Sequence, residues 1–200
     1  MALISIKDRF AFIHIYKVAG MTVRDVLNKN FSTIEIVSSH CTANDIQLHI
    51  TNDFFVFSFV RNPYDWMISL YNYILFDKTH PFRHYYVDKP FDYFIKHYCE
   101  NILNKEATHN GRMTDQTEFL YDENGRLLVD YIGRFENFRS DFSRILKRLD
   151  ININVSNFPI INRTRNKTQI GDYQKYYNKP MRTIVEKSFE RDFNNFNYEF

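Results

Sequence analysis

Lys17 and Gly20 stand three residues apart in the run Phe10-Ala-Phe-Ile-His-Ile-Tyr-Lys-Val-Ala-Gly-Met-Thr22, and their types and spacing suit the handling of an anion. The apolar stretch Phe10–Ile15 reads as a strand, Lys17 to Gly20 as a small-residue loop, and a helix can start at Thr22. At such a junction the unsatisfied backbone N–H groups and the helix dipole both favour a phosphate or a sulfate. Lysine adds a point charge that can follow a leaving group. The nucleotide-triphosphatase loop places its lysine after the glycines, as GxxxxGK[ST]. Here the lysine comes first, which points to phosphate-handling chemistry of another kind.

Two more groups follow strands in the same way. Ile34–Val37 is a short β-branched run, and His40 lies three residues beyond it. Phe54–Val60 is a nearly continuous apolar run, the pattern of a strand buried on both faces of a parallel sheet, and Arg61 follows at once. Ligands of open parallel sheets bind outside the carboxyl ends of the strands, so Lys17, His40 and Arg61 are expected to converge on one cleft. Asn62 is a candidate N-cap and Pro63 suits the first helical position. Ser69 then lies about two turns into that helix, on the side of Arg61. An arginine fork with a hydroxyl holds a phosphate. A second phosphate position beside the first predicts a ligand with two separated phosphates.

The elements that must position these groups alternate between strand and helix, which predicts a single α/β domain over 1–200, with a central, mostly parallel sheet flanked by helices. Thr42 can cap a helix carrying Ile46 and Ile50, and Pro90 opens one through Phe94 and Tyr98. Val129–Ile132 reads as a further strand. Asn137 can cap a helix with apolar positions Phe138, Phe142, Ile145, Leu146 and Leu149. Ile151–Gly171 reads as a long loop, and Pro180 starts a last helix to about Phe189. Of 200 residues, 44% are hydrophobic and 18% aromatic, which excludes a disordered chain. A net charge of +2 gives no case for nucleic acid. Cys41 and Cys99 fit neither a metal spacing nor a disulfide framework, so a reducing compartment is expected. Lys7, Asp8 and Arg9 break the first apolar stretch, so neither a signal peptide nor a membrane span is read, and a cytoplasmic location is expected.

Two motifs carry a family resemblance. HIYKVAGMT resembles the 5′-phosphosulfate loop of carbohydrate sulfotransferases, commonly HxPKTAGTS-like, and FSFVRNPYDWMISLYNY resembles their 3′-phosphate motif, with arginine and serine at the family's spacing. The stretches Val129–Glu136 with Asp141-Phe142, and Asp192–Tyr198, are similar to that family too. Tyr16 stands where proline is usual and Val18 where threonine or serine is usual, so the loop has one hydroxyl fewer.

The resemblance implies a P-loop-like nucleotide-binding sulfotransferase fold. It implies 3′-phosphoadenosine 5′-phosphosulfate as donor and a hydroxyl acceptor, expected on a sugar. It assigns the donor to Lys17, Val18, Ala19, Gly20, Met21, Thr22, Arg61 and Ser69, with Arg163 and Thr164 of the long loop as further contacts and Arg134 behind them. Lys17 is expected at the leaving oxygen. His40 is the expected base: its unperturbed pKa near 6.5 lets it take a proton at neutral pH. It also matches the histidine after the second strand in relatives resembling heparan sulfate 2-O-sulfotransferase. Glu136 is an alternative base, though a brace for Arg134 or the following helix is the preferred reading. No carboxylate follows a strand as a magnesium ligand would, so a metal-free site is expected, and Pro81 between His80 and His84 speaks against a metal pair there. Two other readings stay open: a P-loop-type nucleotide kinase, and a nucleotide- or glycan-binding module without catalysis.

Overall fold

Among the described residues, four of the five strands point the same way. The computed structural model describes residues 1–36, 41–103, 114–153 and 172–200. Its residues divide into two compact units, Met1–Val60 with Gln116–Asn162 and Arg61–Asp115 with Arg163–Phe200.

The first unit holds the sheet: β1 (Ala2–Ser5), β2 (Phe10–Ile13), β3 (Ile34–Ile36), β4 (Phe55–Val60) and β5 (Tyr131–Arg134), in the order β3-β1-β2-β4-β5. β2, β4 and β5 pair in parallel, while β1 runs antiparallel to both β2 and β3. The expected mostly parallel sheet is therefore present, with β1 as the reversed strand. β1 was not legible from the charged Lys7-Asp8-Arg9 that follows it. Those residues form a hairpin turn in which Ser5 Oγ donates to Asp8 at 2.6 Å and Arg9 takes φ 52°.

Every residue of β2 and β4 is buried, as their apolar runs predict. Phe12 stacks on Phe57 across the pair with ring centroids 5.4 Å apart, and Ser58 satisfies its buried hydroxyl by donating to the Ile13 carbonyl at 2.7 Å. β5 begins two residues later than Val129. Asp130 is used up at the strand's entrance, its N–H donating to the Val56 carbonyl and its carboxylate accepting from the Val56 N–H.

Helix α1 (Gly20–Asn30) follows β2. The helix expected from Thr42 is only a 3₁₀ turn, Asp45–Leu48, although Thr42 and Asp45 do exchange side-chain and backbone hydrogen bonds.

Helices α2 (Pro63–Phe76), α3 (Arg83–Tyr86), α4 (Phe91–Asn101), α7 (Lys179–Ser188) and α8 (Glu190–Phe196) make up the second unit, with α5 (Thr117–Leu120) and α6 (Phe138–Arg148) in the first. Phe138 and Phe142 of α6 pack on the Phe59 ring. Asn137 makes no side-chain cap there; it closes a 3₁₀ turn, Phe135–Asn137, that leads into the helix. In the second unit the Tyr64 ring meets those of Tyr173, Tyr177, Phe193 and Phe200, and Tyr177 donates to the Tyr64 carbonyl at 2.8 Å. The helix expected from Pro180 to about Phe189 is α7, and a further helix, α8, follows it after Phe189.

Gly133 of β5 admits the Phe59 ring: a Cβ there would lie 2.4 Å from Phe59 Cε1. Phe59 is fully buried and cannot swing away. Gly133→Ala is expected to destabilise the fold by about 1–3 kcal/mol, read from the urea midpoint; an unchanged midpoint would mean that the ring has room.

Candidate functional site

β2 ends at Ile13, and the stretch from His14 to α1 makes two left-handed turns without a glycine. Lys17 and Ala19 both have φ 65°. Left-handed backbone costs a residue with a Cβ about 1–2 kcal/mol, so the surrounding packing must hold it. Val18 supplies part of that hold, for its side chain is fully buried. The Tyr16 ring meets Phe119 edge-on with centroids 6.3 Å apart. Both departures from the usual motif thus go into packing around the loop.

The helix that follows starts from a left-handed residue, whereas the absence of a side-chain cap is shared with α3, α4, α5, α6 and α8. Ala19 is the N-cap of α1, so no side chain caps the helix, and its first turn carries no acidic residue. By contrast, Asn62 caps α2 by accepting from the Tyr64 N–H, and Asn178 caps α7 by accepting from the Met181 N–H. Thr22 and Val23 turn their N–H groups onto the Ala19 carbonyl. Among the described residues, the N–H groups of Gly20 and Met21 have no such acceptor. A left-handed residue leading into a right-handed helix is the concave arrangement of amides that receives an anion. Lys17 is half-buried at its rim, Met21 is exposed, and Thr22 is buried. Lys17, Val18, Ala19, Gly20, Met21 and Thr22 therefore form one continuous loop and helix start.

His14 leads into this loop, and its role was not legible from the sequence. Its ring stacks on Phe12, and a Cβ on Gly20 would lie 1.9 Å from His14 Cδ2 and 2.0 Å from Nε2. Nδ1 is buried with no hydrogen-bond partner among the described residues. Burial first, and the neighbouring Arg24 guanidinium second, lower its pKa to about 3.

In the second unit, Arg61 is 8% exposed and Ser69 is 9% exposed. Asp65, 3% exposed, lies midway between them at i,i+4 spacing from each. Its Oδ2 accepts from Arg61 Nε at 2.8 Å and stands 2.8 Å from Nη2. The first-turn aspartate is thus the partner of Arg61 as well as a dipole partner, a pairing its spacing allowed. Asn62, just after Arg61, is held in turn: its Nδ2 donates to Tyr173 Oη at 3.1 Å and to the Glu199 carbonyl at 3.0 Å.

At the end of β5, Asp141 braces the turn that follows. Its carboxylate accepts from the Arg134 N–H at 2.8 Å, Tyr131 Oη at 3.1 Å and Arg144 Nη1 at 3.0 Å. Glu136 sits in the 3₁₀ turn that follows. His40, Arg163 and Thr164 lie outside the described residues. Among the described residues no three His, Cys, Asp or Glu side chains cluster as metal ligands would, and no helix is long and apolar enough to cross a membrane.

The family model described as the sulfotransferase family matches residues 1–199. No curated protein and no solved structure matches the chain.

The lowered pKa of His14 has a consequence for stability. Above pH 6.5 the ring is neutral both folded and unfolded, and its contribution is complete. As pH falls below 6.5 the unfolded chain takes a proton that the folded protein refuses, so stability is lost by up to about 1.4 kcal/mol per pH unit towards pH 3. Urea midpoints between about pH 7 and 4.5 are expected to fall less steeply in His14→Asn; parallel slopes would contradict the buried neutral ring.

Proposed function

Since the chain belongs to the sulfotransferase family, we propose that residues 1–200 act as one catalytic domain, moving a sulfuryl group from 3′-phosphoadenosine 5′-phosphosulfate to a hydroxyl, with a sugar as the acceptor. The observation that supports this reading is the start of α1, where left-handed Lys17 and Ala19 lead into the Gly20 and Met21 amides with no acidic residue in the first turn. The sugar class and the donor rest on the likeness of HIYKVAGMT and FSFVRNPYDWMISLYNY to carbohydrate sulfotransferases. The two free cysteines suit a cytoplasmic location.

The donor brings an activated sulfuryl group on a 5′-phosphate and a separate 3′-phosphate. The residues of this chain suit both ends. The loop amides and Lys17 would hold the phosphosulfate; Arg61, with its plane fixed by Asp65, and the hydroxyl of Ser69 would hold the 3′-phosphate. Lys17 would donate to the oxygen on which charge grows as the bond to sulfur breaks, and fixed amides need no reorganisation for that. His40, outside the described residues, would take the acceptor's proton. Arg163 and Thr164, also outside them, would complete the nucleotide site.

Calorimetry with 3′-phosphoadenosine 5′-phosphate tests the reading: saturable binding is expected, and no heat at high micromolar nucleotide would sink it. Magnesium-dependent transfer from ATP would point to a kinase instead. In a transfer assay with radiolabelled donor, Lys17→Ala is expected to lower the rate about 10²–10³-fold. His40→Ala is expected to keep nucleotide affinity and lose about 10²–10⁴-fold in transfer. Near-normal rates in either variant would remove that residue's role.

A further inference from the structure

His14 is a half-buried polar side chain, with its Nδ1 buried, at the entrance to the loop before α1, and the function proposed above leaves it without a task. Its backbone N–H donates to the Met1 carbonyl at 3.0 Å, so the residue is tied to the neighbouring chain where β2 ends. The ring lies 18° from parallel to the Phe12 ring, with centroids 5.8 Å apart, and Phe12 is itself fully buried. One face of the imidazole is therefore fixed.

Its edge meets the loop. The atoms closest to a Cβ placed on Gly20 are all from His14: Cδ2 at 1.9 Å, Nε2 at 2.0 Å and Cγ at 2.8 Å. These distances are far below any real Cβ contact, so Gly20 and the imidazole occupy adjoining space that only a glycine leaves open. Gly20 is the first residue of α1, directly after the left-handed Ala19. Whatever bears on Gly20 bears on the direction of its amide and of the Met21 amide.

Nδ1 meanwhile has no partner among the described residues. A buried nitrogen without a hydrogen bond is destabilising. Polar partnership does not explain why the ring is there; the shape of its edge does. A five-membered ring is flat and short enough to lie under the turn. Burial, with the neighbouring Arg24 guanidinium second, lowers the ring's pKa to about 3 and so keeps it uncharged near neutral pH.

We propose that His14 is a positioning residue for the anion loop: its imidazole edge is the floor on which Gly20 rests, and so it fixes the left-handed turn at Ala19 and the aim of the Gly20 and Met21 amides. This rests on the donor reading above, and it acts through Gly20 without touching the ligand.

The contact makes a specific demand on a pair of substitutions. Gly20→Ala forces the new methyl into the ring and is expected to weaken binding of 3′-phosphoadenosine 5′-phosphate at least 10-fold. His14→Ala removes the floor and is expected to weaken it several-fold, raising KM for the donor while KM for the acceptor stays constant. In the double variant the methyl occupies the space the ring has left, so binding is expected to be tighter than in Gly20→Ala alone. All affinities are measured on protein with native circular dichroism, so that a loss of folding is not read as a loss of binding. If Gly20→Ala does not fold by itself, folding and binding restored by His14→Ala support the contact, and a double variant that stays unfolded overturns it. Nucleotide affinity equal to wild type in His14→Ala, or a double variant as weak as the product of the two singles, also overturns it. A wild-type protein that binds no nucleotide withdraws the donor reading itself, whereas wild-type binding with an indifferent His14→Ala overturns the role of His14 alone.

Discussion

Two residues with side chains, Lys17 and Ala19, are held in left-handed backbone between β2 and α1, and the first unit is arranged to keep them there. Neither is a glycine, so the cost of the turn falls on the folded state. It is offset by packing on either side. Val18 is driven into the core between them, Tyr16 is pinned against Phe119, and the neutral His14 ring fills the space under Gly20. The parallel pair β2–β4 gives this assembly its base, since both strands are buried throughout and Ser58 ties them with a hydrogen bond to Ile13. The loop is thereby packed on several sides, and fixed amides are what an anion site would require.

In the proposed reading the chain would use two different devices for negative charge. The α1 start relies on backbone donors and the helix dipole, with no cap and no carboxylate in the first turn to compete. At α2 the helix is capped by Asn62, its first turn carries Asp65, and the cation Arg61 is held by that aspartate. A guanidinium fixed on one edge by a carboxylate has lost little freedom when it meets a phosphate, and part of its charge is already balanced. The first device suits a group whose charge changes during reaction; the second suits a group that only needs to be held.

Much of this was legible in the sequence because each signal was local. The apolar run of β4, the Asn62-Pro63 helix start and the alternation of strand and helix need no tertiary information. Local signals mislead where a distant partner decides. β1 is a strand because β2 and β3 lie on either side of it, although three charged residues close it. Asp130 was absorbed at the mouth of β5 by Val56, which moved the strand two residues along. Asp141 reaches the Arg134 backbone across a turn, a partner its position in the sequence did not show. At the site, the order of lysine and glycine suggested the chemistry, whereas His14 opened the same motif with no role attached to it. Its place is set by the ring contact with Phe12 and the absent Cβ of Gly20, both of which exist only in three dimensions.

If the start of α1 receives the donor's anion, its amides must respond to the nucleotide. Titrating 3′-phosphoadenosine 5′-phosphate into ¹⁵N-labelled protein and following individual amides reads that response residue by residue. Saturable shifts of the Gly20 and Met21 amides are predicted, with Arg61 Nε–H moving over the same concentration range. Binding that leaves Gly20 and Met21 unmoved would contradict an anion site at the start of α1.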